Sequence, residues 1–408
     1  MKAMHLVTEY LTQPLGIDIE KPRFYWNCEG GVKQTAYQII VKSGEEALWN
    51  SGKVESSSMT HIAYDGRPLK SRERIYWSVK LWDENGVGGE ISTSCFEMGL
   101  LGPADWKAKW ISGNYKPNKN TRYPVDYFRK VFSASEGVKK ARLYITACGL
   151  YEASLNGQRV GDFIMAPGST DYRKRIQYQT YDVTKHMQSE NTLDIQLADG
   201  WYRGSIGCFG PTNVFGRQTK LLCQLEITYA DGKVETIVSD ESFRWSNDGP
   251  IRFADLKDGE VVNAAMVPSY SGHAVAVSEK VIPTASNNVF PKEQEVFTPK
   301  LITTPSGKRV LDFGQNIAGY IAFTVKGKLG QRIKLTCGEI LDENGEFTQK
   351  NMQGKRPSQE CGKLTEILLV TGNESKISAP LQFSKKDRRE VLSYLFLGAK
   401  SRIVLCHQ

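Results

Sequence analysis

Apolar and polar residues alternate in short runs along most of this chain, and Gly, Asn, Asp or Pro separate the runs. Examples are TAYQIIVKS, YWSVKLWD, ARLYITA, TLDIQLA and CQLEITYADGKVETIVS. Side chains of a strand point alternately to the two faces of a sheet, so this pattern predicts β-strands with one buried face. Helical periodicity of any length is absent before residue 350. The sequence therefore predicts an all-β fold.

Two dipeptides, Asn156-Gly157 and Asp231-Gly232, stand between strand-like runs. Both suit type I′ turns, which need positive φ at both central residues. We expect each of them to close a β-hairpin.

A first domain is predicted at residues 16–100. This stretch holds roughly seven strand signals over about 85 residues, which is typical of a small antiparallel sandwich of the fibronectin type III kind. Trp77 and Trp82 fall on the strand-like run YWSVKLW. Core filling is the expected role of both tryptophans, and a platform for a sugar is the alternative.

Two further β-domains are expected after the first. Residues 104–278 have the length and strand content of a jelly-roll sandwich. Residues 294–375 are interpreted as a further β-sandwich segment, which glycines break into short strands and tight turns. The tail at 376–408 carries a basic cluster and then an apolar stretch without clear alternation. Within it, KKDRREVLSYLFL predicts a short amphipathic helix. The expected architecture is thus a row of tandem β-sandwiches.

The bulk composition excludes several classes of protein. The net charge of +8 is mild for 408 residues, and Lys and Arg are scattered, so no nucleic-acid partner is expected. No apolar run of about 18 residues occurs, which argues against a membrane span. The N-terminus lacks the apolar stretch of a secretory signal, so we expect a cytoplasmic protein. The eight cysteines are widely spaced without a CxxC pair, which favours free thiols over a zinc site or a redox pair.

Two loops combine aromatic and polar residues in a way that is typical of binding sites. ADGWYRGSIGCFGPTNVFG at 198–216 is long and Gly-rich, and PGSTDYRKRIQYQTYD at 167–182 is similar. The face of a Trp or Tyr can stack on a pyranose ring while Asp and Arg bind its hydroxyls. An alternative is that these rings seal the edge of the sandwich or pack on a neighbouring domain. The candidate carbohydrate-binding residues are Asp171, Tyr172, Asp199, Trp201, Tyr202 and Arg203.

Motifs of other chemistry are missing from the sequence. No GxSxG, Walker A, GxGxxG or HExxH motif occurs, and the five histidines lie apart. We predict no catalytic residue, no set of metal ligands and no bound cofactor. Calcium stays open, since acidic turns such as LDENGE at 341–346 supply oxygen atoms. A solvated turn is the favoured interpretation of that stretch.

Three segments resemble the bacterial α-L-rhamnosidases, a glycoside hydrolase family, and they follow the family's order. QTAYQIIV, LWNSGKVESSS and YDGRPLKSRERIYWSVKLWDENG are similar to its fibronectin-like first domain. ARLYITACGLYEASLNGQRVGDFIMAPGSTDYRKRIQYQTYDVT and LADGWYRG are similar to its second β-domain. VLDFGQNIAGYIAFTVKG and GEILDENGEF are similar to the β-domain that precedes its catalytic barrel. The resemblance extends over residues 16–375.

The resemblance implies hydrolysis of terminal α-L-rhamnose from rhamnosides, with inversion, by an (α/α)6 barrel that follows these domains in the family. The family's acidic motif, a DxxxRDER-like run, is not found in this sequence. The most similar segment is KKDRRE at 385–390, which lacks the pattern. Inversion needs two carboxyl groups about 6.5–9.5 Å apart, whereas the acidic residues here stand mostly alone in turns. The resemblance also implies that some related domains bind rhamnose together with calcium.

We therefore expect the N-terminal, non-catalytic part of an α-L-rhamnosidase, with rhamnose-containing glycosides as partners. Because the tail departs from the family after residue 375, we further expect a truncated product of a reading frame that is broken near Gln382. A stand-alone rhamnose-binding protein that uses the loops of the second domain is the alternative. An active hydrolase with an unrecognised site between the sandwiches is the third hypothesis.

Overall fold

The computed structural model describes residues 1–207, 210–287, 289–315, 317–321, 323–325, 331–350, 365–370, 375–377 and 402–407. These residues belong to two compact units. The first unit comprises Met1–Lys107, Gln177–Asp182 and Ile282–Val289. The second unit comprises Ala108–Ile176, Val183–Val281 and Phe290–Gln408.

Strands dominate the described residues, so the all-β expectation is confirmed. Up to residue 112 they are β1 (Lys2–Thr8), β2 (Leu15–Ile17), β3 (Arg23–Glu29), β4 (Ala36–Ser43), β5 (Glu46–Asn50), β6 (Val54–Glu55), β7 (Ile62–Ala63), β8 (Arg74–Trp82), β9 (Ser92–Met98) and β10 (Ile111–Ser112). From residue 126 to 238 they are β11 (Asp126–Ser133), β12 (Val138–Cys148), β13 (Leu150–Leu155), β14 (Gln158–Arg159), β15 (Gln177–Asp182), β16 (Glu190–Ala198), β17 (Lys220–Tyr229) and β18 (Val234–Val238).

The remaining strands follow residue 243. They are β19 (Arg244–Ser246), β20 (Ile251–Asp255), β21 (Gly259–Asn263), β22 (Gly272–His273), β23 (Val275–Ala276), β24 (Thr284–Ala285), β25 (Lys300–Thr303), β26 (Arg309–Asp312), β27 (Phe323–Val325), β28 (Gln331–Gly338), β29 (Ile340–Leu341), β30 (Phe347–Thr348), β31 (Thr365–Val370), β32 (Ser375–Ile377) and β33 (Arg402–His407). The helical elements of the described residues are short: two 3-10 turns, Pro103–Asp105 and Thr184–His186, and the helix α1, Gly200–Arg203. None of these helices has the length and apolar character that a membrane crossing requires.

The first unit is a sandwich whose two sheets share one apolar core. One sheet has the order β1-β3-β7, and the other has the order β2-β9-β8-β4-β5 with β6 beside β4. Strand β8 buries alternate side chains, among them Trp77 and Val79, as its pattern predicts. Phe24 and Trp26 enter the same core from the facing sheet. Strands β15 and β24 of this unit form a parallel pair.

The two tryptophans of β8 have different environments. Trp77 is 1% exposed and fills the core, as expected. Trp82 is half-buried, and the ammonium groups of Lys53 and Lys80 lie 5.3 Å and 5.2 Å from its ring centroid. The prediction that Trp82 fills the core is therefore wrong. Trp82 is the last residue of β8, and its side chain lies on the outward face of the strand.

Two further sheets in the second unit have strand orders that do not follow the chain. One runs β23-β10-β17-β12 with β18 beside β17, and the other runs β14-β13-β16-β11-β19-β22. The longest pairing joins β12 to β17, from Val138 opposite Tyr229 to Cys148 opposite Lys220. Pairing between strands distant in sequence is typical of Greek-key connections.

A third sheet of the second unit has the order β20-β21-β31-β28-β33-β26-β25. It combines a hairpin at 251–263 with strands after residue 300. Buried Tyr127 and Ile251 pack there with Ile333, Leu335 and Cys337 in one apolar cluster. Strand β33 of this sheet lies in the tail, and the neighbouring strand β32 pairs with β27 instead. The helix predicted at KKDRREVLSYLFL lies outside the described residues.

The two predicted hairpin turns differ. Asn156 and Gly157 have φ of 54° and 76°, so the type I′ expectation is confirmed there. At the other turn only Gly232 has positive φ, at 87°, so the type I′ expectation is wrong. The side chain of Asp231 accepts a hydrogen bond from the backbone N–H of Lys233 at 2.9 Å, which favours a different turn geometry.

Candidate functional site

The predicted binding segments lie together in the second unit at residues 167–176 and 198–216, whereas residues 177–182 form β15 of the first unit. Tyr172 packs against Tyr202 and Phe215, with ring centroids 5.2 Å and 5.3 Å apart. The guanidinium of Arg173 lies 5.2 Å from the centroid of the Phe215 ring. The structure therefore brings the predicted segments into one region, which we call the loop site: residues 171–173, 200–203 and 215.

Two glycines allow the second loop to pack closely on its surroundings. Gly200 has a φ of +51°, and a Cβ there would lie 2.5 Å from Cγ of Leu150. A Cβ at Gly216 would lie 2.1 Å from Oη of Tyr202. A larger residue at either position would push the loop outward. These glycines therefore fix where Trp201 and Tyr202 lie.

Asp199 and Arg203 point into the protein. They are 3% and 4% exposed. Nε and Nη2 of Arg203 each lie 2.7 Å from Oδ1 of Asp199. Arg203 also donates a hydrogen bond to Oη of Tyr115, and its guanidinium lies 5.0 Å from the ring centroid of Tyr123. Both charged groups are thus used within the fold, and their contact with a sugar stays a prediction.

Asp126 is the centre of the same buried network. Trp245 Nε1 donates a hydrogen bond to Oδ1 of Asp126 at 2.9 Å. Thr219 Oγ1 and Tyr115 Oη donate to its Oδ2 at 2.8 Å and 3.3 Å. Burial raises the pKa of the Asp126 carboxyl, and the positive charge of Arg203 opposes this shift. We call Asp126, Tyr115, Thr219, Trp245, Asp199 and Arg203 the polar hub.

A further cation connects the polar hub to the third sheet. Arg122 Nη1 donates a hydrogen bond to Oδ2 of Asp258 at 3.0 Å, and Nη2 donates to Oδ2 of Asp255. Arg122 Nε lies 3.8 Å from Oδ2 of Asp199. Asp255 also accepts a hydrogen bond from the backbone N–H of Ser205 at 2.7 Å. Sequence reasoning missed these residues, because their partners are far apart along the chain and no motif marks them.

Trp201 and Asp171 are the predicted site residues that keep partial exposure. Arg173 donates hydrogen bonds to Asp171 through Nε at 2.8 Å and through Nη2 at 3.1 Å. This contact with Arg173 holds the pKa of Asp171 below its usual range. A partly exposed indole offers a sugar an apolar face, and a carboxylate–guanidinium pair offers groups that bind hydroxyls.

The two tyrosines of the loop site are buried. Tyr172 is 3% exposed and Tyr202 is 6% exposed. Burial raises the pKa of both phenols, so they stay neutral at neutral pH. Oη of Tyr172 donates a hydrogen bond to the carbonyl of Gly168 at 3.0 Å. These rings support the surface residues, and Phe209 of the same loop lies outside the described residues.

The charged groups of this region are arranged for structure. Hydrolysis of a glycoside needs two carboxyl groups that face the scissile bond. Asp126, Asp199 and Asp255 each accept hydrogen bonds from neighbouring donors instead. Burial raises the pKa of Cys148 and Cys223 to about 12, so neither thiol is a nucleophile at neutral pH.

The described part of the chain contains no cluster of acidic side chains that would bind a metal ion. No group of three or more His, Cys, Asp or Glu side chains there could hold an ion. In the turn at 341–346, Oδ1 of Asp342 accepts hydrogen bonds from the backbone N–H groups of Asn344 and Glu346 at 3.0 Å and 2.9 Å. A calcium ion would need carbonyl or amide oxygens as most of its ligands.

Comparison with known proteins identifies the family. Three family models match: a Rha78A-like N-terminal immunoglobulin domain at 3–102, an α-L-rhamnosidase N-terminal domain at 136–297, and a bacterial α-L-rhamnosidase concanavalin-like domain at 302–384. An α-L-rhamnosidase of Formosa agariphila is 35% identical over 382 residues, which cover 86% of this chain. The chain belongs to the bacterial α-L-rhamnosidase family. The resemblance that its sequence motifs indicate is thereby confirmed.

The match covers less than half of the length of two relatives. The Formosa agariphila α-L-rhamnosidase is matched over 41% of its length. An α-L-rhamnosidase of an Alteromonas species is 33% identical, and the match covers 84% of this chain and 40% of that relative. The chain thus spans about two fifths of the length of these rhamnosidases, and it matches the family's N-terminal domains.

Solved rhamnosidase structures share the fold. The native α-L-rhamnosidase from Aspergillus terreus superposes with a TM-score of 0.83 at 30% identity, over 98% of this chain and 49% of that one. The Streptomyces avermitilis α-L-rhamnosidase, in complex with L-rhamnose, superposes with a TM-score of 0.83 at 25% identity, over 100% of this chain and 57% of that one. The expected tandem β-architecture is therefore shown by structure as well as by sequence.

Proposed function

We propose that these residues are the non-catalytic β-portion of an α-L-rhamnosidase and that rhamnoside hydrolysis takes place outside them. The observation that carries this proposal is the match to three β-domains of the family. This match covers about two fifths of the length of the Formosa agariphila relative. The carboxylates of the polar hub support it, because Asp126 accepts a hydrogen bond from Thr219 and Asp199 is paired with Arg203. Hydrolysis would need one carboxyl group as acid and another as base, on either side of the glycosidic bond.

An assay with an aryl α-L-rhamnoside tests this part of the proposal. The purified 408-residue chain should release no phenol above the rate in buffer, while an active α-L-rhamnosidase in a parallel reaction does. Turnover that is proportional to the concentration of the chain would overturn the proposal. Retention of that turnover in Asp199→Asn and Asp126→Asn would then place the chemistry elsewhere in the chain.

We further propose that the loop site binds rhamnose-containing glycosides. The specific observations are the half-buried indole of Trp201 and the Asp171–Arg173 pair, on segments that meet through Tyr172, Tyr202 and Phe215. The relative from Streptomyces avermitilis was crystallised with L-rhamnose, which makes this sugar the first ligand to test. In this proposal Trp201 stacks on the ring, and Asp171 and Arg173 bind hydroxyls.

Calorimetric titration with L-rhamnose, with and without calcium, tests the loop site. Trp201→Ala should weaken binding about two- to tenfold, since a stacked aromatic ring contributes about 0.5–1.5 kcal/mol. Trp82→Ala is the matched control, because Trp82 is also half-buried but lies in the first unit beside two lysines. Equal affinity in the wild type and Trp201→Ala would contradict the proposal. Binding that needs calcium would add an ion to the site.

The compartment is proposed from the cysteines. Cys28, Cys95, Cys148, Cys223 and Cys337 are free thiols in the structure, as the sequence predicts. Free thiols persist in a reducing environment. We therefore propose a cytoplasmic location.

A further inference from the structure

A cavity of about 80 Å³ lies in the second unit; Gly200 of the loop site lines it, whereas the aromatic side chains of that site do not. Strands β13 and β16 supply one wall through Leu150, Glu152 and Gln196. The hairpin of β20 and β21 supplies the facing wall through Ile251 and Ala254. No motif in the sequence marks this place, because its walls come from segments about a hundred residues apart.

Gln196 leaves an unsatisfied acceptor at this cavity. The residue is 5% exposed, and its Oε1 has no hydrogen-bond partner among the described residues. Buried polar atoms are nearly always paired, so an orphaned carboxamide oxygen beside an open volume needs an explanation. A ligand that donates a hydrogen bond provides one.

The sheet register explains why this side chain faces the cavity. Glu152 lies opposite Gln196, and Leu150 lies opposite Ala198. Alternate residues of a strand share a face, so these four side chains line the same wall. The charge of Glu152 is offset by Arg159, whose Nε lies 2.6 Å from its Oε1. The wall therefore presents hydrogen-bond acceptors without a free cation.

The remaining lining defines the chemistry of the ligand. Val125, Met165, Ile251 and Ala254 supply apolar surface. An acceptor that needs a donor argues against a hydrocarbon, and nearby carboxylates such as Glu152 argue against an anion. A cavity needs at least about 10–15 Å³ to hold one water, and this cavity is several times larger. The space therefore admits a polar molecule larger than water.

We propose that this cavity is a second carbohydrate site, which binds one neutral pyranose through a hydroxyl that donates to Oε1 of Gln196. Ile251 and Ala254 of the hairpin wall pack on the less polar face of the ring. The inference goes beyond the loop site and does not depend on it.

The test uses the 408-residue chain with Trp201→Ala, so that the loop site is removed first. Calorimetric titrations with L-rhamnose and with D-glucose should show one site for at least one of these sugars, and D-glucuronate should not bind. Ala254→Phe, which fills the cavity, should abolish this binding. Gln196→Leu should weaken it about tenfold, the loss expected for one hydrogen bond.

The outcomes separate the two sites. If neither sugar binds the Trp201→Ala chain, or if Ala254→Phe and Gln196→Leu leave the affinity unchanged, the cavity proposal is overturned whatever the loop site does. If sugar binds the Trp201→Ala chain as tightly as the wild type and is lost in Ala254→Phe, the loop-site proposal fails while the cavity stands.

Thermal unfolding of Gln196→Leu distinguishes a binding role from a structural one. Replacing an unpaired acceptor by an apolar side chain of similar size should keep or raise the unfolding midpoint of the ligand-free chain. The midpoint increase on adding sugar should disappear. A midpoint lowered by several degrees would show that Gln196 is paired through water within the fold, and that result would overturn the proposal.

Discussion

The two units bury different chemistry. In the first unit Ile39, Trp77 and Phe96 are at most 1% exposed and pack in one apolar core. The buried Glu9 and Glu97 of that unit pair with Arg23 and Arg74, whose side chains are 38% and 34% exposed. In the second unit both members of an ion pair are buried, since the side chains of Asp199 and Arg203 are each 4% exposed. An apolar core is stabilised by area removed from water. The polar hub is stabilised only while every buried charge keeps its partners.

This difference predicts where the fold is most sensitive to substitution. Apolar burial is not directional, so one truncation in a core costs the contacts and the cavity it creates. A buried network is directional, and removing one member leaves the others without partners in a region of low dielectric constant. Substitutions in the polar hub should therefore affect several neighbours at once.

The largest expected effect is at Arg203. Arg203→Met removes the cation that contacts Asp199 and Tyr115 and leaves the buried Asp199 carboxylate with the more distant Arg122, 3.8 Å away. The free energy of unfolding of the second unit should fall by about 3–5 kcal/mol. Urea unfolding with hydrogen exchange as the readout assigns the loss to its unit.

Arg67→Met in the first unit is the control for this experiment. Arg67 also bridges two carboxylates, Glu46 and Glu73, but its side chain is 29% exposed. Because water screens the pair, the loss should be about 1 kcal/mol or less. Equal losses in Arg203→Met and Arg67→Met would mean that the polar hub is no more demanding than a surface pair.

Truncation in the apolar core of the first unit comes next. Ile39 is 0% exposed, and Ile39→Ala should lower the free energy of unfolding of that unit by about 2–4 kcal/mol. Ile91 is 61% exposed, so Ile91→Ala should change it by less than about 0.5 kcal/mol. Exchange rates of amides in the second unit should stay unchanged in both variants. A loss spread over both units would remove the distinction between them.

Local patterns predicted local structure well. Alternation in YWSVKLW gives the buried face of β8, because the period of a strand depends only on neighbouring residues. Asn156-Gly157 forms its type I′ turn, whereas the turn at Asp231 differs through one side-chain hydrogen bond to Lys233. The family motifs identified the fold for the same reason, since each motif is a short local sequence and the motifs follow one another in the family's order.

The interior of the candidate site could not be predicted in this way. Asp126 stands in YPVDYFRK, which marks no function, and its partners Thr219 and Trp245 lie 93 and 119 residues away. Asp199 and Arg203 stand in a loop whose composition is typical of sugar binding. The direction in which their side chains point depends, however, on Tyr115 and on close contacts of Gly200. Long-range pairing decides which polar residues face solvent, and a single sequence does not contain it.

The smallest expected effect is a difference in pH dependence between two carboxyl groups. Burial opposes ionisation of Asp105 in the first unit, but hydrogen bonds from Ser71 and Arg72, each 2.6 Å long, outweigh it and hold its pKa below the usual range. In the second unit burial raises the pKa of Asp126. The two groups should therefore change stability in opposite directions as pH rises.

The signs follow from proton binding. A carboxyl whose folded pKa is lowered stabilises the fold above its unfolded pKa of about 3.9 and loses that contribution as pH falls. A carboxyl whose folded pKa is raised contributes fully below that value and loses its contribution as pH rises. Asp105→Asn should thus cost about 1 kcal/mol at pH 7 and less at pH 4.

For Asp126→Asn the trend is reversed. The variant should gain stability relative to the wild type between pH 4 and pH 7, because only the wild type has a carboxyl group here that binds its proton more tightly in the folded state than in the unfolded state. Urea unfolding of both variants and the wild type at pH 4, 5.5 and 7 measures the two slopes. Parallel slopes would show that Asp126 is as well compensated by its donors as Asp105 is by Arg72. The buried Asp126 of the polar hub would then oppose folding at neutral pH no more than the partly exposed Asp105 does.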